Sequence, residues 1–199
     1  MEVAESLFAE KGFNGTSVRD IAQKANINLA MISYYFGSKE KLLEAMFDYR
    51  GELLKMKIED IINRKDLSAI EKVYLLIDNY IEKIMGQQCF HRIMAREQVL
   101  NSTGFLAELI VGMKQRNLEM VSKLIKEGQK SGDFRKNIDI PLMMTTMVGT
   151  ANHLITTKHH YRIMSNATQL SEKEFENMIR KKLGNHLKFL FKVMLTYEE

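Results

Sequence analysis

Proline is nearly missing: Pro141 is the single example in 199 residues. A chain this poor in the residue that breaks helices can carry long uninterrupted ones, and its abundant Met, Leu, Ile, Lys and Glu favour them. Cysteine is equally scarce. Cys89 stands alone, so no internal disulfide can form, which suits a reducing compartment and makes a cytoplasmic location the expectation. No apolar run has the length of a membrane span. From Ile140 to Thr157 there is no charged side chain, but the stretch holds Pro141, five threonines, Asn152 and His153. It also falls short of the ~20 apolar residues that a span needs. A helix buried on most sides is expected there, and no membrane partner. Glu2 and Glu5 interrupt the opening segment, so no signal peptide is expected.

An excess of one charge is lacking where it would matter most. The net charge is +4, yet residues 1–50 carry six Lys/Arg against seven Asp/Glu. Bulk charge therefore does not argue for nucleic acid. Motifs of the common enzymes are missing too. There is no P-loop, no dinucleotide glycine fingerprint, no nucleophile elbow and no H-E-x-x-H, and an enzyme is not expected. The lone His91 and the pair His159-His160 belong to no cluster with ligand spacing, so neither metal nor cofactor is expected.

Helical spacing of apolar residues is present almost everywhere, and strand alternation nowhere convincing. At 45% hydrophobic and 27% charged the chain reads as an all-α globular protein. Val3, Leu7 and Phe8 mark a first helix, closed by Gly12. Ser17-Val-Arg-Asp20 is a capping box opening a second, with Val18, Ile21, Ala22 and Ala25 inward. Asn26-Ile27-Asn28 is a tight turn, asparagine being among the few residues that accept positive φ. A third short helix spans about Leu29 to Phe36, and Ser38 caps a fourth containing Leu42, Leu43, Met46 and Phe47. The helices then lengthen. Ser68-Ala-Ile-Glu71 is a second capping box, a segment runs from about Gln88 to Leu100, and a long helix follows Gly104 to near Ser131-Gly132. Asp139 caps the uncharged helix, and Ser171 the last, which runs to about Tyr197. No linker or repeat is visible. A division into residues 1–47 and 48–199 is expected.

Three short helices with a tight turn between the second and third form a helix-turn-helix unit, whose third helix fits the DNA major groove. The stretches LFAEKGF (Leu7–Phe13), TSVRDIA (Thr16–Ala22) and SYYFGSKEKLL (Ser33–Leu43), at these intervals, resemble the TetR family of regulators from roughly Val3 to Phe47. Beyond that the likeness is one of helix count and of the turn Gly132-Asp133-Phe134. Departures from the family pattern are Asn26, where a glycine is usual, and a start within the first helix. The basic arm common ahead of that helix would add affinity for DNA. On the resemblance, Asn28, Leu29, Ala30, Met31, Ser33 and Tyr34 take the base-contacting positions, with Tyr34 and Tyr35 near the backbone. Ile27, Ile32 and Phe36 should face inward, against Leu7, Phe8, Phe13 and Ile21. Direct readout would rest on thymine methyls, Asn28, Ser33 and Arg19. Thr16, Ser17 and Lys39 sit at helix starts that suit phosphate.

The family also implies a homodimer on a roughly palindromic operator, with recognition helices ~34–36 Å apart, and an effector that releases it. The last helix carries a stripe of Phe175, Ile179, Leu183, Leu187, Leu190, Met194 and Tyr197. Met178, Phe189, Phe191 and Val193 lie off the stripe, so one face is expected in the chain's own core and another against a partner. With Gly149 and Ala151 of the preceding helix, the stripe is the expected dimer contact. An adaptable apolar pocket for a small apolar or amphipathic effector is expected on the middle helices, from Met85, Cys89, Phe90, Met94, Phe105, Met113, Met120, Met147 and His153. Its occupation would move the fourth helix and change the separation of the heads. An alternative stays open: the apolar Leu29-Ala-Met31 face and near-neutral head also fit a family member with weakened DNA binding, acting through protein contacts or as a ligand carrier.

Overall fold

Local signals set the helix boundaries. In the computed structural model, which describes residues 1–100 and 104–196 (the side chains of 97–100 excepted), ten helices and no strands occur among the described residues. They are α1 (Glu2–Lys11), α2 (Val18–Ala25), α3 (Leu29–Phe36), α4 (Lys39–Asn63), α5 (Ala69–Gly86), α6 (Gln88–Leu100), α7 (Phe105–Ser131), α8 (Ile140–Thr156), α9 (Lys158–Met164) and α10 (Glu172–Leu195). Tyr197 lies outside the described residues. Short α9 has no counterpart among the sequence expectations. Capping boxes open α2 and α10: Ser17 and Asp20 bond reciprocally, as do Ser171 and Glu174. Ser68 and Glu71 do the same ahead of α5. Asp139 accepts from the Leu142 amide at 2.9 Å, with Pro141 in the first turn of α8 where its missing N–H costs nothing.

The chain forms two compact units that interleave along the sequence. One comprises Met1–Lys57 and Gln87–Asn117, the other Ile58–Gly86 and Leu118–Glu199. The units thus differ from the division at residue 47, because α6 and the first half of α7 pack with the N-terminal helices. In the first unit a single core holds Leu7, Phe8, Ile21, Ile32, Leu43 and Phe47 together with Phe90, Ile93, Met94, Leu106, Ile110 and Met113. The Phe47 and Phe90 rings lie 4.8 Å apart, and both are fully buried. Burying each such ring contributes about 1.5–3 kcal/mol, which ties α6 firmly to the head. A polar clasp adds to this: the Arg50 guanidinium on α4 donates to one Glu5 carboxylate oxygen on α1 at 2.9 and 3.2 Å.

The second unit packs α5, α8 and α10 around Ile77, Ile81, Leu124, Ile125, Phe134, Met143, Ala151 and Leu187. Phe134, from the Gly-Asp-Phe turn, lies flat against Gly128 and donates its amide to the Gly128 carbonyl at 3.0 Å. A satellite cluster of Ala167, Phe175 and Ile179 is covered by Arg162, whose guanidinium lies 4.8 Å over the Phe175 ring. The uncharged helix α8 departs from expectation. Ile140, Met143, Met147 and Ala151 are buried, but Leu142, Thr145, Gly149 and His153 stand exposed. One face is covered, not most of the helix. No helix among the described residues is long and apolar enough to cross a membrane.

Candidate nucleic-acid interface

The head presents α3 almost bare. Of its eight residues only Ile32 is buried. Leu29, Ala30, Met31, Ser33, Tyr34 and Tyr35 are all exposed, Tyr34 at 82% and Tyr35 at 66%. The two tyrosine rings meet edge to face at 5.1 Å. Asn28 caps the helix, its Oδ1 accepting the Ala30 amide at 2.9 Å, so one of its readout groups is engaged and its amide NH₂ is left for a base edge. Asn26 adopts φ 53°, the left-handed turn that aims α3 relative to α2. Phe36 packs on the core beside Ile32 as expected, but Ile27 does not. It is 45% exposed, because it sits in the turn, where helical periodicity no longer decides direction.

Arg19 and Ser17 are exposed at the start of α2. Ser17 and Asp20 occupy each other there, and the Ser17 amide, followed by its hydroxyl, holds the Asp20 carboxyl below the usual carboxylate range. The Asp20 amide is taken by the Ser17 hydroxyl at 3.1 Å, so a phosphate at this end would meet the amides of Val18 and Arg19. Thr16 corrects its expectation: it is 1% exposed, and its hydroxyl donates to the carbonyls of Leu7 and Gly12. A side chain closed off in this way cannot touch DNA. Lys39 is also occupied. Its ammonium donates to the carbonyls of Phe13 at 2.8 Å and Thr16 at 3.0 Å and lies 4.2 Å from the Phe13 ring centroid.

Residues 1–46 match the family described as bacterial regulatory proteins, tetR family, and residues 47–180 match the YsiA-like protein, C-terminal region. The chain belongs to the TetR family. Among its relatives, the probable HTH-type transcriptional regulator YttP of Bacillus subtilis (strain 168) is 31% identical over 135 residues, 67% of this chain and 65% of that protein. The fatty acid metabolism regulator protein of the same organism is 25% identical over 158 residues, 79% of this chain and 80% of its own length. Among solved structures, FadR from Bacillus subtilis in complex with stearoyl-CoA has the same fold at TM-score 0.69 and 22% identity, with 94% of each chain covered. The ketosteroid transcriptional regulator KstR2 of Mycobacterium tuberculosis does so at 0.70 and 22%, with 99% of this chain and 93% of that one covered. This TetR-family protein is accordingly a DNA-binding transcription regulator.

Of the residues expected at its effector pocket, Cys89, Phe90, Met94, Phe105 and Met113 belong to the first unit and Met85, Met120, Met147 and His153 to the second. Phe90, Met94 and Met113 are packed in the core of the first unit, at 0%, 9% and 3% exposure, so Phe90 and Met113 offer no open wall. Met147 is buried in the second unit's core, and Met85 is half-buried against it. Met120 and Cys89 are half-buried, the Cys89 sulfur 3.6 Å from an Arg92 nitrogen, while Phe105 is exposed. His153 faces an open groove of about 790 Å³ between α8 and α9, with Thr150, Thr157, His160 and Met164.

The expected dimer stripe is corrected as well. Ala151, Phe175, Ile179, Leu183 and Leu187 are at most 1% exposed. They close the chain's own cores, and a second subunit cannot reach them. Leu190 and Met194 pack half-buried on the same core, and Gly149 is the exposed member of the set. The open apolar positions of α8 and α10 are Leu142, Phe189 and Val193, at 59%, 68% and 40% exposure. Phe189 and Val193 were readable as residues the buried stripe leaves out. Which side of α10 met the core was not.

Proposed function

We propose that this regulator is a cytoplasmic repressor that binds a roughly palindromic operator as a homodimer and lets go when an amphipathic effector occupies its C-terminal region. One observation carries the DNA-binding half: α3 is apolar yet nearly unburied, with Leu29, Met31, Tyr34 and Tyr35 all open to solvent. A helix that packs on the core through Ile32 and Phe36 and presents two exposed tyrosines beside Leu29, Ala30 and Met31 suits thymine methyls and phosphates in a major groove. Residues 1–47 act as the head and 48–199 as the effector and dimer region. Arg19, Asn28, Ser33, Tyr34 and Tyr35 are its contacts.

The dimer contact is placed on the open faces of α8 and α10, around Leu142, Gly149, His153, Phe189 and Val193. The uncharged exposed positions of α8, Leu142, Thr145, Gly149 and His153, support this. Beyond its own helix backbone, no atom among the described residues lies within 4 Å of where a Gly149 Cβ would stand, leaving room for a helix to approach. For the effector, the relatives named for fatty acid metabolism and for a stearoyl-CoA complex favour a long-chain acyl thioester.

Selection from a random duplex library with the purified protein tests the reading. A palindromic consensus, lost with Tyr34→Ala and weakened as salt rises, is the expected result. No enrichment at low salt would reject operator binding. Equal affinity for the selected duplex with and without stearoyl-CoA would reject the acyl effector.

A further inference from the structure

Lys39 is the first residue of α4, and a cation there opposes the helix's own dipole. Its surroundings explain the choice. The side chain reaches back 26 residues to the Phe13 carbonyl at 2.8 Å and 23 residues to the Thr16 carbonyl at 3.0 Å. Phe13 supplies a ring face 4.2 Å from the ammonium. Its carbonyl also accepts from the Thr16 amide at 3.3 Å, so the cation sits on a turn already closed on itself. Thr16 is held from the other side, its hydroxyl donating to Gly12 at 2.8 Å and Leu7 at 3.2 Å. The next residue, Ser17, is the N-cap of α2. Thr16 is thus pinned at its hydroxyl to the end of α1 and at its carbonyl to the start of α4, directly before the amides that would meet a phosphate.

On the reading that this head binds an operator, we infer that Lys39 is a positioning residue for DNA binding, not a phosphate contact. It fixes the α1–α2 turn, and through Thr16 it aims the first-turn amides of α2. Charge-assisted hydrogen bonds to two carbonyls, part-buried and backed by an aromatic face, hold that turn more firmly than a neutral donor would. Two of the three ammonium protons are spent on backbone, which is where a phosphate-binding lysine would keep them free.

The two roles separate by salt dependence. A lysine that neutralises one phosphate in each subunit of a dimer contributes about 1.8 to the slope of log affinity against log salt, whereas a positioning lysine contributes nothing to it. The experiment titrates the wild-type protein, Lys39→Met and Thr16→Val on the duplex that the wild type enriches from a random library, across a salt series. Amide exchange of Thr16 to Asp20 is followed in the free proteins. Expected are an affinity loss of about tenfold in both variants, an unchanged slope, and faster exchange over the turn. Thr16→Val removes the opposite half of the same pin without touching charge, and it decides the matter should Lys39→Met not fold. A slope lower by about 1.8 in Lys39→Met, with turn exchange unaltered, would overturn the inference and return Lys39 to the phosphate. So would an unchanged affinity in either variant. A wild type that enriches no duplex would sink the operator reading, and this inference with it, whereas its failure alone leaves wild-type binding intact.

Discussion

Breaking the Glu5–Arg50 clasp should destabilise the head asymmetrically, depending on which partner is removed. Glu5 keeps 9% of its side-chain surface and Arg50 19%, and both Arg50 bonds fall on one carboxylate oxygen. Arg50→Met leaves a nearly buried carboxylate without its cation. Removing one partner of a fully buried pair costs about 3–5 kcal/mol; since Arg50 is partly open, about 2–3 kcal/mol is expected here. Glu5→Gln leaves the better exposed group behind, still facing an amide oxygen, and should cost about 1–2 kcal/mol. Glu5→Leu combined with Arg50→Met removes both charges and should return to within about 1 kcal/mol of wild type, because an apolar pair avoids the desolvation cost. The chain has no tryptophan, so far-UV circular dichroism follows unfolding, with each kcal/mol moving Tm by about 2–4 °C in a chain of this size. The double variant must be more stable than Arg50→Met alone. A double variant no more stable than Arg50→Met, or Glu5→Gln as the worse of the single changes, would refute the reasoning that the orphaned carboxylate is the costly group.

Two glycines with opposite surroundings should respond oppositely to alanine. At Gly128 a Cβ would lie 2.3 Å from Cδ2 of Phe134, a ring held at 1% exposure. Overpacking of about 1–3 kcal/mol then outweighs the roughly 1 kcal/mol gained in helix propensity, and Tm should fall. At Gly149 no atom among the described residues, its own helix backbone aside, lies within 4 Å of the Cβ position, so alanine should raise monomer stability by up to about 1 kcal/mol. If α8 meets its mate closely, the same change weakens dimerisation in sedimentation, and an unchanged dimer constant would move the contact away from Gly149. Acid should weaken the capping boxes and lower Tm. Hydrogen bonds from Ser17, Ser68 and Ser171 hold Asp20, Glu71 and Glu174 below their ordinary 3.8 and 4.5, and Arg64 holds Asp66 to about 2. Their folded values lie below their unfolded ones, so the stability they add is complete above about pH 5 and is lost as pH falls through the range below 4.5. A Tm that stays constant as pH falls from 6 to 3 would refute this.

Features that depend on neighbours in sequence were legible, and those that depend on distant partners were not. Ser17 with Asp20, Ser68 with Glu71, Ser171 with Glu174, and Asp139 before Pro141 all announce their helices within three residues. Asn26 likewise marks the turn that defines the helix-turn-helix. Thr16 reads locally as a phosphate ligand at a helix start, but its hydroxyl is claimed by Leu7, nine residues back. Lys39 reads the same way, and its partners are 23 and 26 residues away. Periodicity has a parallel blind spot, since a stripe states that a face is buried without stating by what. Phe175, Ile179, Leu183 and Leu187 fit a partner's helix and the chain's own α5 and α8 equally well on spacing alone. Their near-zero exposure decides for the latter. That moves the argument for a dimer onto residues a pattern search discards: Phe189 and Val193 on α10 and Leu142 on α8 stay open although each is apolar. Charge would be tolerated at these three positions if the chain worked alone, because each lies on the surface of the single subunit. Phe189→Lys therefore separates the cases. Retained fold with a loss of both dimer and operator affinity places the subunit contact on this face, and retained dimer would leave the exposed apolar residues without a role.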